Sequence, residues 1–249
     1  VHNNTATFYS RNNAFSMMGF DTFTSKECMN ISQYTPNGNW PTDDVLVQET
    51  VKAMNATENQ SDFVYTITVE GHGDYPTEKI LENPDILVSG AADEASNNQW
   101  EYYVNMIHQV DDFIGDLITA VDRRGEDTII VFFGDHLPTM GLTDADMKSG
   151  DIFKTKYITW NNMGLAKKDA DLTAYQLLAH ITDQAGIHEG TMFRYHQTQT
   201  ASETYLSGLE DLQYDLLYGK RYTYGGEDRY PASDLVMDVE DVTVSSVRK

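Results

Sequence analysis

Three short stretches of this chain carry side chains suited to chemistry. The first ends in Asp135-His136, directly after the apolar run Ile129-Ile-Val-Phe-Phe133 and Gly134. A carboxylate beside an imidazole offers a hard and a borderline metal ligand. The second is Glu70-Gly-His-Gly-Asp-Tyr75, which sets His72 between two glycines after the apolar residues 63–69. Glycines there let the backbone come close to a ligand. The third gathers His2, Phe8, Tyr9 and Arg11 near the start. A guanidinium forks to phosphate oxygens while aromatic rings cover the carbon face of a polyol. Each stretch also has a plainer reading. An Asp-His pair after a strand often caps a helix beside a satisfied histidine, and arginine packs with aromatic rings in loops of every kind.

Two elements must position the histidines. Residues 63–69 and 128–136 are rich in β-branched and aromatic types, which reads as two buried strands. Between them, Trp100, Tyr103, Ile107, Val110, Ile114, Leu117, Ile118 and Val121 recur at helical spacing, predicting a helix over 98–124 that stops at Gly125. Strand, helix and strand make a βαβ unit, whose strands pair in parallel. Ligands in such α/β sheets bind outside the carboxyl ends of the strands, so His72 and His136 are expected to face one crevice. The rest predicts a short helix ending at Gly19, a turn over 37–41, and a helix over 45–55 capped by Asp43 or Asp44. Further on, a loop is expected over 77–96, a strand over 153–160, helices over 172–185 and 205–217, and an edge strand over 239–244. His108, Asp111 and Asp112 fall on the long helix as surface groups, and His180, His188 and His196 lack metal-ligand spacing. The fold class is α/β, with residues 1–190 as the core of one domain and 191–249 as a smaller helix and edge-strand subregion of it.

Composition narrows the function. Of the 249 residues, 39 are acidic and 17 basic, for a formal net charge of -22. That excludes a nucleic-acid binder, which needs a basic footprint, and docking by charge on anionic lipid. It suits an enzyme whose divalent cation locally inverts the field. Cys28 is the one cysteine, which rules out an internal disulfide and a cysteine-based zinc site. No apolar run approaches the ~18 residues of a membrane span. A chain opening on Val1 is expected to be a processed or excised piece.

The stretches together resemble the lipoteichoic acid synthases, phosphoglycerol transferases with a sulfatase-like fold of the alkaline phosphatase superfamily. The marks are His2-Asn-Asn with Phe8-Tyr-Ser-Arg11, Met18-Gly-Phe-Asp21, Glu70-Gly-His-Gly-Asp-Tyr75, Asp111 on the long helix, Gly134-Asp-His136, and Tyr175-Gln-Leu-Leu178 with Ala185-Gly-Ile187. They reach from the start to about residue 190. The tail around Tyr218-Gly-Lys-Arg-Tyr222 resembles the Gram-positive, clostridial-type branch.

The resemblance implies a mainly parallel sheet flanked by helices. It makes Asp135 and His136 ligands of a divalent ion of the manganese type, with magnesium or zinc as alternatives. His72 would contact the phosphoryl group or transfer a proton. His2, Phe8, Tyr9 and Arg11 would hold the phosphoglycerol head group. The donor would be phosphatidylglycerol and the acceptor a glycerol phosphate polymer or glycan, on the extracellular face of a Gram-positive membrane. The threonine nucleophile and the acidic ligand of that family have no counterpart here. The chain is therefore expected to be the C-terminal part of a catalytic domain, inactive alone, with membrane helices elsewhere in its parent. A sulfatase or phosphodiesterase of the same superfamily is the rival enzyme, and a non-catalytic glycerol-phosphate-binding surface domain the rival binder. The missing Gly-Glu after Asp135-His136 speaks against a phosphoethanolamine transferase.

Overall fold

The computed structural model of the protein describes residues 1–224, so the edge strand expected over 239–244 lies outside the described residues. Two units are each compact: residues 1–160 and, among the described residues, 161–224.

The first unit is built around one long helix. α1 (Arg11–Met17) and α2 (Val45–Met54) precede α3 (Glu94–Asp122). Asp93 caps α3, its carboxylate accepting the Ser96 N–H at 2.7 Å, which satisfies one of the orphan donors of a helix start. The start lies four residues before the sequence expectation because this cap, not the first apolar residue, begins the helix. Phe113, Leu117 and Val121 of α3 pack with Val45 and Leu46 of α2 into the buried core. Their i, i+4, i+8 spacing puts three side chains on one stripe.

β1 (Ile129–Phe133) and β2 (Tyr157–Asn161) form a two-stranded sheet. The Gly134 N–H donates to the Lys156 carbonyl at 3.1 Å, which continues an antiparallel register. Ile130, Phe132 and Trp160 pack on the core, fixing which face of the pair is inward.

The mainly parallel sheet expected from the sequence is not what the described residues form, and the expected pairing of 63–69 with 128–136 is absent among their bridges. Residues 63–69 are extended but make a single parallel bridge, between Ile67 and His2. What lies alongside is the segment at Val1 and His2 and not residues 128–136. Val1 donates to the Tyr65 carbonyl at 2.8 Å, and the Ile67 N–H donates to the Val1 carbonyl at 2.9 Å. The His2 N–H then turns away to Thr24.

The second unit contains α4 (Leu177–Gln184), α5 (Thr191–Gln199) and α6 (Tyr205–Leu217). A 3-10 turn over Ala174–Gln176 precedes α4, so the regular helix starts later than its apolar spacing suggested. α5 lies between the two helices that the sequence predicts over 172–185 and 205–217. Its residues are mostly polar, and what holds it is tertiary: buried His196 Nδ1 meets the Tyr205 hydroxyl at 2.7 Å, and the Tyr195 hydroxyl donates to the Tyr205 carbonyl at 2.8 Å.

Candidate functional site

His72 and His136 lie together. Their ring centroids are 6.4 Å apart, edge to face. The loops carrying them touch again one residue on, where a Cβ on Gly73 would stand 3.2 Å from Thr139 Oγ1. A Cβ on Gly71 would stand 3.0 Å from Ile107 Cδ1 of α3, so the glycines around His72 allow close approach on both sides.

His72 is held from the other side by a turn. The Trp40 indole N–H donates to the Gly73 carbonyl at 2.8 Å, and its ring meets the His72 ring edge-on at 5.0 Å. Asn37 donates to the Asp74 carbonyl at 2.9 Å, and the Tyr75 hydroxyl donates to the Gly71 carbonyl at 3.0 Å. The sequence marked 37–41 as a turn and nothing more. A tryptophan inside a tight turn was the one available signal that the turn packs on something.

Asp135 and His136 are solvent-exposed at the end of β1. His136 Nδ1 lies 2.8 Å from the Leu137 carbonyl. A carbonyl only accepts, so Nδ1 carries a proton, and in the neutral ring Nε2 presents a lone pair. That nitrogen is 3.7 Å from Asp135 Oδ1, a span that two ligands with bonds of ~2.1 Å can share on one cation. The donor set therefore fits a divalent ion from one side. Among the described residues no third His, Cys, Asp or Glu completes a metal-binding group.

The head-group stretch is built differently. His2 is 2% exposed, and its Nδ1 lies 2.9 Å from the Ile67 carbonyl. By the same logic Nδ1 donates and Nε2 is an acceptor, and Nε2 is buried with no hydrogen-bond partner. Burial drives the His2 pKa down to about 4; the Ile67 bond opposes this and the nearby Arg11 charge adds to it. His2 is thus neutral at pH 7. Arg11 packs over the Phe8 and Tyr9 rings at 5.6 and 5.2 Å from their centroids, and its Nη1 is buried without a partner. Tyr9 and Ser10 both sit at positive φ, 54° and 53°. Two successive non-glycine residues in that region are strained, a condition that concentrates at ligand sites. Here the kink brings both rings back over the guanidinium. Phe8 is partly exposed and Tyr9 is 75% exposed.

One residue passed over in the sequence ties these parts together. The Tyr65 ring stacks on Phe133 with 6.4 Å between centroids. Its phenol is pushed up by burial, further up by the Asp135 carboxylate, and down by Arg11. Tyr65 therefore lies within the fields of both the carboxylate and the guanidinium. All the predicted site residues fall in the first unit.

The comparisons with known proteins agree on the fold. The family model described as Sulfatase matches residues 1–208. A protein of Rhizobium meliloti (strain 1021) named "Putative cyclic beta-1,2-glucan modification protein" is 25% identical over 258 residues, covering 87% of this chain and 40% of that protein. The chain thus spans about two fifths of the curated relative's length. Among solved structures, the phosphoglycerol transferase GacH of Streptococcus pyogenes, in complex with sn-glycerol-1-phosphate, matches with a TM-score of 0.74 at 17% identity. That match covers 90% of this chain and 62% of the GacH chain, and at such identity it concerns the fold alone.

Proposed function

Since the chain belongs to the sulfatase family, we propose that its site binds a glycerol phosphate ester beside a divalent cation and serves phosphoglycerol transfer. The observation that carries this reading is the pair of buried, unpartnered atoms of opposite kind, His2 Nε2 and Arg11 Nη1. An unsatisfied buried polar group costs free energy that a ligand can recover. A guanidinium N–H wants a phosphoryl oxygen, and a neutral imidazole nitrogen wants a hydroxyl donor. A phosphoglycerol group carries both, with its alcohol hydroxyls set apart from the phosphoryl oxygens by the carbon chain, whereas the one hydroxyl of inorganic phosphate dianion sits on the phosphorus itself. The solved GacH complex holds sn-glycerol-1-phosphate, in keeping with this chemistry.

The residues then divide the work. Arg11 neutralises charge on the phosphoryl oxygens, and Phe8 and Tyr9 cover the glycerol carbons. His72, held by Trp40, stands beside His136 and holds or delivers the proton of a departing or attacking hydroxyl. Asp135 and His136 would hold the cation; a divalent ion bound there would supply polarisation of a phosphoryl oxygen and a lowered pKa for the attacking hydroxyl. We take the donor to be phosphatidylglycerol and the acceptor a cell-envelope polymer or glycan, as for the lipoteichoic acid synthases that the motifs resemble. The threonine nucleophile of the lipoteichoic acid synthases has no counterpart among the motifs matched here, so we propose that residues 1–249 bind the ester without turning it over.

Calorimetric titration with sn-glycerol-1-phosphate in the presence of Mn²⁺ tests this. Charge-assisted hydrogen bonds contribute about 1.5–3 kcal/mol, so Arg11→Ala should weaken binding by roughly 10- to 100-fold. His2→Phe should remove the preference for the glycerol ester over inorganic phosphate. Equal affinity for the two anions in the wild type, unmoved by either substitution, would overturn the reading and favour a hydrolase that reads only the anion.

A further inference from the structure

Asp43 was one of two candidate caps of α2, with Asp44, and its carboxylate does something else. Asp43 and Asn3 are fully buried and Glu70 is 2% exposed. Asn3 Nδ2 donates to Asp43 Oδ1 at 2.8 Å. The Val69 N–H donates to the same oxygen at 3.0 Å, and the Glu70 N–H donates to Oδ2 at 3.3 Å and to Oδ1 at 3.4 Å. In return the Asp43 N–H donates to Glu70 Oε2 at 2.8 Å. Residues 43 and 70 thus exchange side-chain and backbone bonds, and Asn3 adds a third arm. Each arm leads to a site histidine: Asn3 directly follows His2, and Glu70 stands two residues before His72. The knot is anchored by Leu46, fully buried in the core, whose N–H donates to the Asp43 carbonyl at 2.9 Å.

We propose that Asp43 is a positioning residue whose single carboxylate sets the His2 and His72 backbones at a fixed separation, and so matches the site to the length of a glycerol phosphate ester. The ester is the part that rests on the functional reading above; the clamp does not. An isosteric amide cannot replace the carboxylate, because one of its two heads is a donor and would face the Val69 or Glu70 N–H.

Imidazole NMR resonances of the folded, unliganded protein test the clamp without any ligand. Asp43→Asn should shift the ring signals of both His2 and His72. Asn3→Ala cuts one arm, and should shift His2 while leaving His72 in place. A role in stability alone predicts a lower melting temperature with both rings unmoved, and that result overturns the proposal. So does an Asn3→Ala protein in which His72 moves as far as His2. If Asp43→Asn fails to fold, Asn3→Ala decides. A titration with sn-glycerol-1-phosphate then separates the two ideas. Loss of a hydrogen bond to a charged group is worth about tenfold or more, so Asp43→Asn should weaken ester binding by at least that factor. Equal affinity in the two proteins overturns the matching to the ester. A wild type that does not bind the ester sinks the function, and the ring shifts still decide the clamp.

Discussion

At the scale of single residues, the site depends on which atoms are left without partners. His2 is neutral because it is buried, and its tautomer is set because the Ile67 carbonyl can only accept. As candidates, His72, Asp135 and His136 stood out in the sequence because each follows an apolar, strand-like run, and His2, Phe8, Tyr9 and Arg11 because they cluster near the start. Trp40, Tyr65 and Asp43 did not, because their importance comes from what they touch across the fold. Asp43 has the clearest electrostatic consequence. Burial raises both it and Glu70, and Glu70 reaches about 7. Asp43 accepts several N–H groups and stays the ionised member, while Glu70 Oε1 has no partner and takes the proton. A carboxyl whose folded pKa is raised binds protons more tightly in the native state. Its contribution is therefore full below the unfolded value and declines as pH rises towards 7. His2 acts with the opposite sign, its contribution being lost as pH falls from its ordinary value towards 4. Comparing Glu70→Gln with wild type cancels the histidine. The melting temperature of the variant should gain on the wild type steadily between about pH 5 and pH 8; a constant difference across that range would show Glu70 to be ionised throughout.

At the scale of elements, the helices were easier to read than the strands. Helix α3 is local: its period, its Asp93 cap and its Gly125 stop all lie in the sequence. Helix α6 was expected over 205–217 and is found there. A strand is different, since its ladder depends on which backbone lies alongside. Residues 63–69 have strand composition but bridge to His2 and not to 128–136, and β1 pairs instead with β2. The stripe on α3 also turned from expectation: Met106 is fully buried while Ile107 is 41% exposed. Phe113, Leu117 and Val121 pack against Val45 and Leu46 of α2, and Leu46, fully buried there, is the residue to test. Leu46→Ala should cost about 2–5 kcal/mol by chemical denaturation, the usual range for a core leucine. Leu87→Ala, at a side chain 76% exposed, should cost under about 0.5 kcal/mol. Equal effects would contradict the packing described.

At the scale of the molecule, a net charge of -22 means that the folded chain repels itself. Raising ionic strength from about 0.01 M to 0.15 M shortens the Debye length from ~30 to ~8 Å, and the melting temperature should rise with it. A fall would mean that attractive pairs dominate, against the few ion pairs seen among the described residues. The same acidity would favour the divalent cation proposed at Asp135 and His136. Among the described residues no helix is long and apolar enough to cross a membrane. The central claim is that His72 and His136 share one cleft with one cation. Titration with paramagnetic Mn²⁺, followed by imidazole NMR, tests it most directly. The ring signals of His136 and His72 should broaden together at the lowest Mn²⁺ concentrations, ahead of those of His180 and His188, and Asp135→Ala should abolish the effect on both. Broadening of His136 with His72 left sharp, or broadening that begins at His188, would contradict it.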